Sequence, residues 1–231
     1  MAKLAMAESY DAGVAAYGRA DYPEAMTKWL QAAEAGDSEA QFQVGLMYGN
    51  GTGVPQDFTK ALEFFLPAAN SGHLEAEYSV GVLYGVGLGV EQDCAEAAYW
   101  YTKAAERGHT SALCNLAGLY ETGQGVTQDY LKAFELYGEA AQLGNVVAIF
   151  NLGVMAENGV GLEQDYERAI EFYRLAADAG LAAAQYNIGV LYAQGLGVAT
   201  DIEKAKYWLS KAAAQGNKMA DHNLGILAAA G

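Results

Sequence analysis

Cysteine is nearly missing from this chain: Cys94 and Cys114 are the only two in 231 residues, twenty positions apart. That count excludes a disulfide-stapled scaffold and, with no Cys-x-x-Cys spacing, a zinc ribbon. It leaves free, mostly buried thiols or one bridge between neighbouring segments. Histidine is as scarce, with His73, His109 and His222 each alone among side chains that ligate nothing. Neither a metal centre nor a His-based catalytic pair is expected from them, and solvated or helix-capping roles are. Ser-x-x-Lys, Gly-x-Ser-x-Gly and Walker-type phosphate loops are absent too, so no catalytic residue, cofactor or metal is expected.

Basic side chains are also few, thirteen against twenty-eight acidic ones, for a net charge of −15. A nucleic acid or an anionic membrane surface needs a basic footprint, so neither is an expected partner. A basic partner is permitted, although acidity also keeps a repeat protein in solution. No run of eighteen apolar residues occurs, which argues against direct membrane insertion. Only three prolines are present, and no linker, low-complexity tract or charge block divides the chain. The start, Met1 to Glu8, lacks the apolar stretch of a signal peptide, yet Ala5-Met6-Ala7 resembles the small-residue end of one. Cytoplasm and export both stay open.

What the sequence has in plenty is a beat. The glycine pairs Gly51/Gly53, Gly87/Gly89, Gly123/Gly125, Gly159/Gly161 and Gly195/Gly197 recur every 36 residues. A fixed period of this size means one supersecondary unit stacked on copies of itself. Within each copy the apolar positions fall at helical spacing in two runs, too long for strands. Asp57, Asp93, Asp129, Asp165 and Asp201 precede each second run, where a carboxylate caps free N–H groups. Small residues such as Ala40, Gly45, Ala76 and Gly81 let helices approach, and Trp100, Tyr101, Phe172, Tyr173 and Trp208 fill the gaps. The expected fold is all-α, an α/α superhelical solenoid of helix-turn-helix repeats.

The pattern Ala-x-x-x-Leu-Gly-x-x-Tyr-x-x-Gly-x-Gly-Val-x-x-Asp-x-x-Lys-Ala, then Trp-Tyr-x-Lys-Ala-Ala and Gly, resembles the Sel1-like repeat, a relative of the tetratricopeptide repeat with a longer inter-helix loop. The resemblance implies a single solenoid domain over 1–231. It would hold a tetratricopeptide-like opening pair at 1–36, five repeats at 40–217 and a terminal helix at 218–231. Three places depart from the pattern. Leu116-Ala117-Gly118 moves the small residue by one, and Ala156 stands where other copies have Tyr48, Tyr84, Tyr120 and Tyr192. Losing that Tyr predicts a void or a shifted neighbour such as Tyr166. Pro67 predicts a kink or an early end in its helix.

The family resemblance also implies a scaffold or adaptor that binds a protein or peptide on its concave face. In related tetratricopeptide repeats the position five before the repeat Tyr faces that groove and often holds Asn. Here that column reads Gln43, Ser79, Asn115, Asn151, Asn187 and Asn223. An amide both donates and accepts, as an extended peptide backbone requires, while a role between helices is the alternative. Neighbouring columns carry Phe42, Tyr78, Cys114, Phe150, Tyr186 and His222, and Gly49, Gly85, Glu121, Glu157 and Ala193. The partner-binding candidates are therefore Phe42, Gln43, Tyr78, Asn115, Glu121, Phe150, Asn151, Glu157, Tyr186, Asn187 and Asn223.

Aromatic anchors beside amides and carboxylates suit a peptide with apolar and basic side chains. The cations of a carboxylate clamp are missing from Glu39, Glu75, Ser111, Val147, Ala183 and Met219, so no preference for free C-termini is expected. Two other readings stand beside the scaffold. One is a cell-envelope enzyme or ligand-binding protein related to peptidoglycan or β-lactams, as the resemblance suggests for cysteine-rich relatives. The other is self-association, a homodimer through the C-terminal helix with its apolar Leu224, Ile226 and Leu227.

Overall fold

A computed structural model describes the backbone of residues 2–229 and the side chains of residues 6–229. Met1 and residues 230 and 231 fall outside the described residues, as do the start of the opening pair and the end of the expected 218–231 helix. Thirteen helices and no strand make up the described chain: α1 Ala2–Gly18, α2 Tyr22–Glu34, α3 Ser38–Asn50, α4 Phe58–Asn70, α5 Leu74–Val86, α6 Cys94–Ala105, α7 Thr110–Thr122, α8 Tyr130–Gln142, α9 Val146–Asn158, α10 Tyr166–Asp178, α11 Ala182–Gln194, α12 Ile202–Ala214 and α13 Lys218–Ala229. They form a solenoid of helix-turn-helix repeats.

The helix starts follow the sequence signals closely. Each repeat Asp caps the second helix of its unit: the Lys60 N–H donates to Asp57 at 3.0 Å and the Arg168 N–H to Asp165 at 2.9 Å. First helices use Asp37, His73, His109, Asn145 and Asn217 at the same register, each accepting an N–H three residues on. Leu181 holds that place before α11 and makes no side-chain cap.

Within a repeat, the two helices meet through glycine. A methyl on Gly45 would come within 2.5 Å of the Phe65 ring, and one on Gly81 within 2.7 Å of Tyr101. The third repeat has Ala117 in that place, fully buried, and Gly118 lies one position on, opposite the Tyr137 hydroxyl. Between repeats, the second glycine of each pair lays its loop on the start of an earlier helix. Gly89 sits at φ +72°, and a Cβ there would lie 2.4 Å from the Phe58 carbonyl carbon. Thr59 completes that joint by donating its hydroxyl to the Gly89 carbonyl at 3.0 Å.

Two expectations need correction or completion. Pro67 does not end its helix early: α4 runs to Asn70. Proline removes one N–H, while Ala68 and Ala69 just after it are buried and hold the last turn in the core. The missing Tyr at Ala156 leaves that alanine fully buried. In the first and fifth repeats a cation covers the repeat Tyr, Lys60 over Tyr48 and Lys204 over Tyr192, and here Arg168 lies over Phe134 and Phe172 instead. Tyr166 is a half-buried neighbour of the same core.

The chain divides into two compact units, one of residues 1–112 with 123–127 and the other of 113–122 with 128–231. In the first unit the core runs as two clusters, around Trp29, Val44 and Met47 and around Phe65, Val80 and Trp100. The buried Glu77 carboxylate there accepts from Arg107 at 3.3 Å, and the same guanidinium donates to the Gly72 carbonyl at 2.6 Å. In the second unit the core gathers around Tyr173, Ile188 and Trp208, then Leu209 and Ala212. Gln215 repeats the Arg107 joint there with neutral groups, donating to Gln185 Oε1 at 2.8 Å and to the Gly180 carbonyl at 2.9 Å.

Candidate functional site

The candidate residues occupy one stripe of the first helices, and each of them is half-buried. In the first unit, the aromatic column is engaged by the next repeat's cap. Phe42 stacks on His73 with ring centroids 4.5 Å apart, and Tyr78 stacks on His109 at 4.4 Å. His73 Nδ1 accepts the Ala76 N–H at 3.1 Å, which places the ring proton on Nε2, 3.0 Å from Glu39 Oε2. His109 repeats the arrangement with Ala112 and Glu75. Gln43 donates to Glu39 at 3.1 Å. Burial raises the Glu39 pKa, but hydrogen bonds from Gln43, His73 and Tyr10 outweigh it and hold the carboxyl below its ordinary value.

In the second unit, three columns converge on one hydroxyl. Tyr137, from α8, donates to Glu121 Oε2 of α7 at 3.1 Å and is also hydrogen-bonded to Asn151 of α9. Tyr173, from α10, does the same with Glu157 of α9 and Asn187 of α11. Burial, then the adjacent carboxylate, drives both phenols far above the ordinary tyrosine value. Asn151 also points an amide N–H at Cys114 Sγ, 4.0 Å away. Both cysteines are free and half-buried, and burial pushes the Cys114 thiol up to about 11.

Glu121, Asn151, Glu157 and Asn187 thus belong to two tyrosine-centred triads. Phe150 packs at a tilt on Tyr173, 5.6 Å between centroids, while Tyr186 lies beside the Leu209 cluster. Asn223 lines a cleft described below, and Asn115 shares the amide register on α7. Sequence reasoning missed the tyrosines themselves. One partial signal was available: Glu121 and Glu157 occur only in repeats whose second helix carries a tyrosine at that register, Tyr137 and Tyr173, although Tyr101 in the second repeat is matched by Gly85 instead.

Leu224 and Leu227 of the last helix are half-buried against Leu209, Ala212 and Ala220, and Ile226 is 53% exposed. Among the described residues no cluster of His, Cys, Asp and Glu could hold a metal ion. No helix among the described residues is long and apolar enough to cross a membrane.

Paired helices, a glycine loop at a fixed period and a capped second helix define a helical repeat protein. The Sel1 repeat description matches residues 38–73, 74–109, 110–145, 146–181 and 182–217. The chain belongs to the Sel1 repeat family.

Among solved structures, it is similar to a protective antigen of uropathogenic Escherichia coli with an SLR fold: 37% identity, TM-score 0.84, over 88% of this chain and 44% of that one. The chain thus spans less than half the length of that antigen. A Sel1 repeat protein from Oxalobacter formigenes is 31% identical over 91% of this chain and 87% of its own, with TM-score 0.84. A Sel1 repeat protein from Klebsiella pneumoniae shares the fold at 24% identity and TM-score 0.55, over 88% of this chain and 99% of its own. No curated protein matches the chain. Sel1 repeat proteins generally mediate protein–protein interaction.

Proposed function

We propose that this chain is a non-catalytic scaffold that binds a polypeptide on the face formed by its first helices, the concave side in this family. One observation carries the reading. In the second unit three successive first helices repeat an uncharged pair, Phe150/Asn151, Tyr186/Asn187 and His222/Asn223, at one register. Rings at that spacing offer anchors, and the amide atoms beside them that the tyrosine triads leave over, among them the carbonyl oxygens of Asn151 and Asn187, pair with peptide backbone. With a net charge of −15, the partner is basic as well as apolar.

Site-specific crosslinking tests this. Benzoylphenylalanine at Tyr186 is expected to capture the partner recovered by affinity purification, and the same group at Tyr207, exposed on α12, is not. The reverse pattern would move binding to the second helices and overturn the assignment. Turnover of nitrocefin that a single substitution abolishes would overturn the non-catalytic reading.

A further inference from the structure

A cleft of about 180 Å³ opens in the second unit, lined by Val190 and Ala193 of α11, Leu209 of α12, and Asn223, Ile226 and Leu227 of α13. One period earlier, the corresponding positions are Glu157, Tyr173 and Asn187 in place of Ala193, Leu209 and Asn223. There the Tyr173 ring stands between the helices, its hydroxyl bonded to the carboxylate and the amide. Two periods earlier, Glu121, Tyr137 and Asn151 make the same triad. At the cleft both the ring and the carboxylate are gone. The amide is kept, and the Asn223 side chain makes no hydrogen bond among the described residues.

We infer that this cleft is a subsite for a tyrosine side chain of the bound polypeptide, seated where the preceding repeats seat their own. The physiological occupant rests on the polypeptide-binding reading above; the subsite itself does not. Size agrees, since an apolar cavity of about 150 Å³ takes a benzene-sized ring. Charge agrees too. The lining, completed by Gln194, carries no ionisable side chain, so a neutral ring enters without loss while a charged group would be desolvated unpaired. Asn223 donates to the phenol oxygen as Asn187 does to Tyr173, and the Gln194 amide, one residue beyond the place of Glu157, supplies an acceptor at the rim.

The test titrates the whole chain with p-cresol, the tyrosine side-chain analogue, and with toluene, following backbone amides by NMR. Saturable shifts at Ala193, Asn223 and Leu227 are expected with both. Asn223→Leu is expected to weaken p-cresol about fivefold, the worth of one neutral hydrogen bond, and to leave toluene within about twofold. Filling the cleft from within by Leu209→Tyr with Ala193→Glu should abolish both. Ala193→Leu, from the opposite wall, serves if that pair disturbs folding. Absence of saturable shifts, or binding unchanged in a filled but folded variant, would overturn the subsite. The outcome does not depend on capturing any partner, so the subsite and the scaffold reading can fail separately.

Discussion

A phenol held between a carboxylate and an amide titrates unlike one in water. Tyr137 and Tyr173 have folded pKa values raised above the unfolded value, so what they contribute is fully present below about pH 10 and is lost as pH rises beyond it. Absorbance at 295 nm should show these two tyrosines ionising only together with loss of helical circular dichroism, and Tyr173→Phe should remove one of those late steps. Cys114 offers a second readout. With its thiol near 11, its thiolate fraction at pH 8 is on the order of a hundredfold below that of a free cysteine. Ellman's reagent should therefore modify Cys114 at least that much more slowly in the folded chain than after denaturation. The columns of Asn and Glu were legible as columns in the sequence. Their meeting point was not, because Tyr137 sits on a different helix, and a period fixes the spacing of equivalent residues without fixing which way neighbouring helices face.

At the scale of the element, caps and loop glycines were legible because they act locally. Asp before each second helix needed no partner beyond its own first turn. His73 and His109 were readable as caps, but the rings they lean on, Phe42 and Tyr78, come from the previous repeat and required the fold. The break in the capping register has a direct consequence. Leu181→Asn supplies an acceptor that α11 lacks, worth about 1 kcal/mol, but gives up the packing of Leu181 on the Tyr173 core, so chemical denaturation should show a net gain smaller than that cap alone. Gly89→Ala should do the opposite and cost roughly 2–5 kcal/mol, combining left-handed backbone strain with a methyl driven into the Phe58 carbonyl. A cost below about 1 kcal/mol would mean that the loop can lift away. The early end expected at Pro67 does not occur, because its single lost hydrogen bond is weighed against two buried alanines, and burial is a property of the stack.

For the molecule as a whole, charge and repetition set the behaviour. A net charge of −15 on 231 residues repels itself, so moderate salt should raise the melting temperature until screening is complete. A fall in melting temperature between about 0.05 and 0.3 M NaCl would show that favourable ion pairs outweigh the excess of acid. The loop joint described for Gly89 recurs in the second unit, where Gly161 faces Tyr130 and Gly197 faces Tyr166. Removing residues 146–181 would bring Gly197 opposite Tyr130, a tyrosine again, set Asn145 in the capping place of Leu181, and offer Asn187 to the Tyr137 hydroxyl. These three joints would close with residue types they already accept, while the Tyr192 hydroxyl would lose Arg174, with Gly138 in its place. The chain can therefore shorten or lengthen only in whole periods, and a change of any other size inside a repeat leaves a glycine loop with no helix start to rest on.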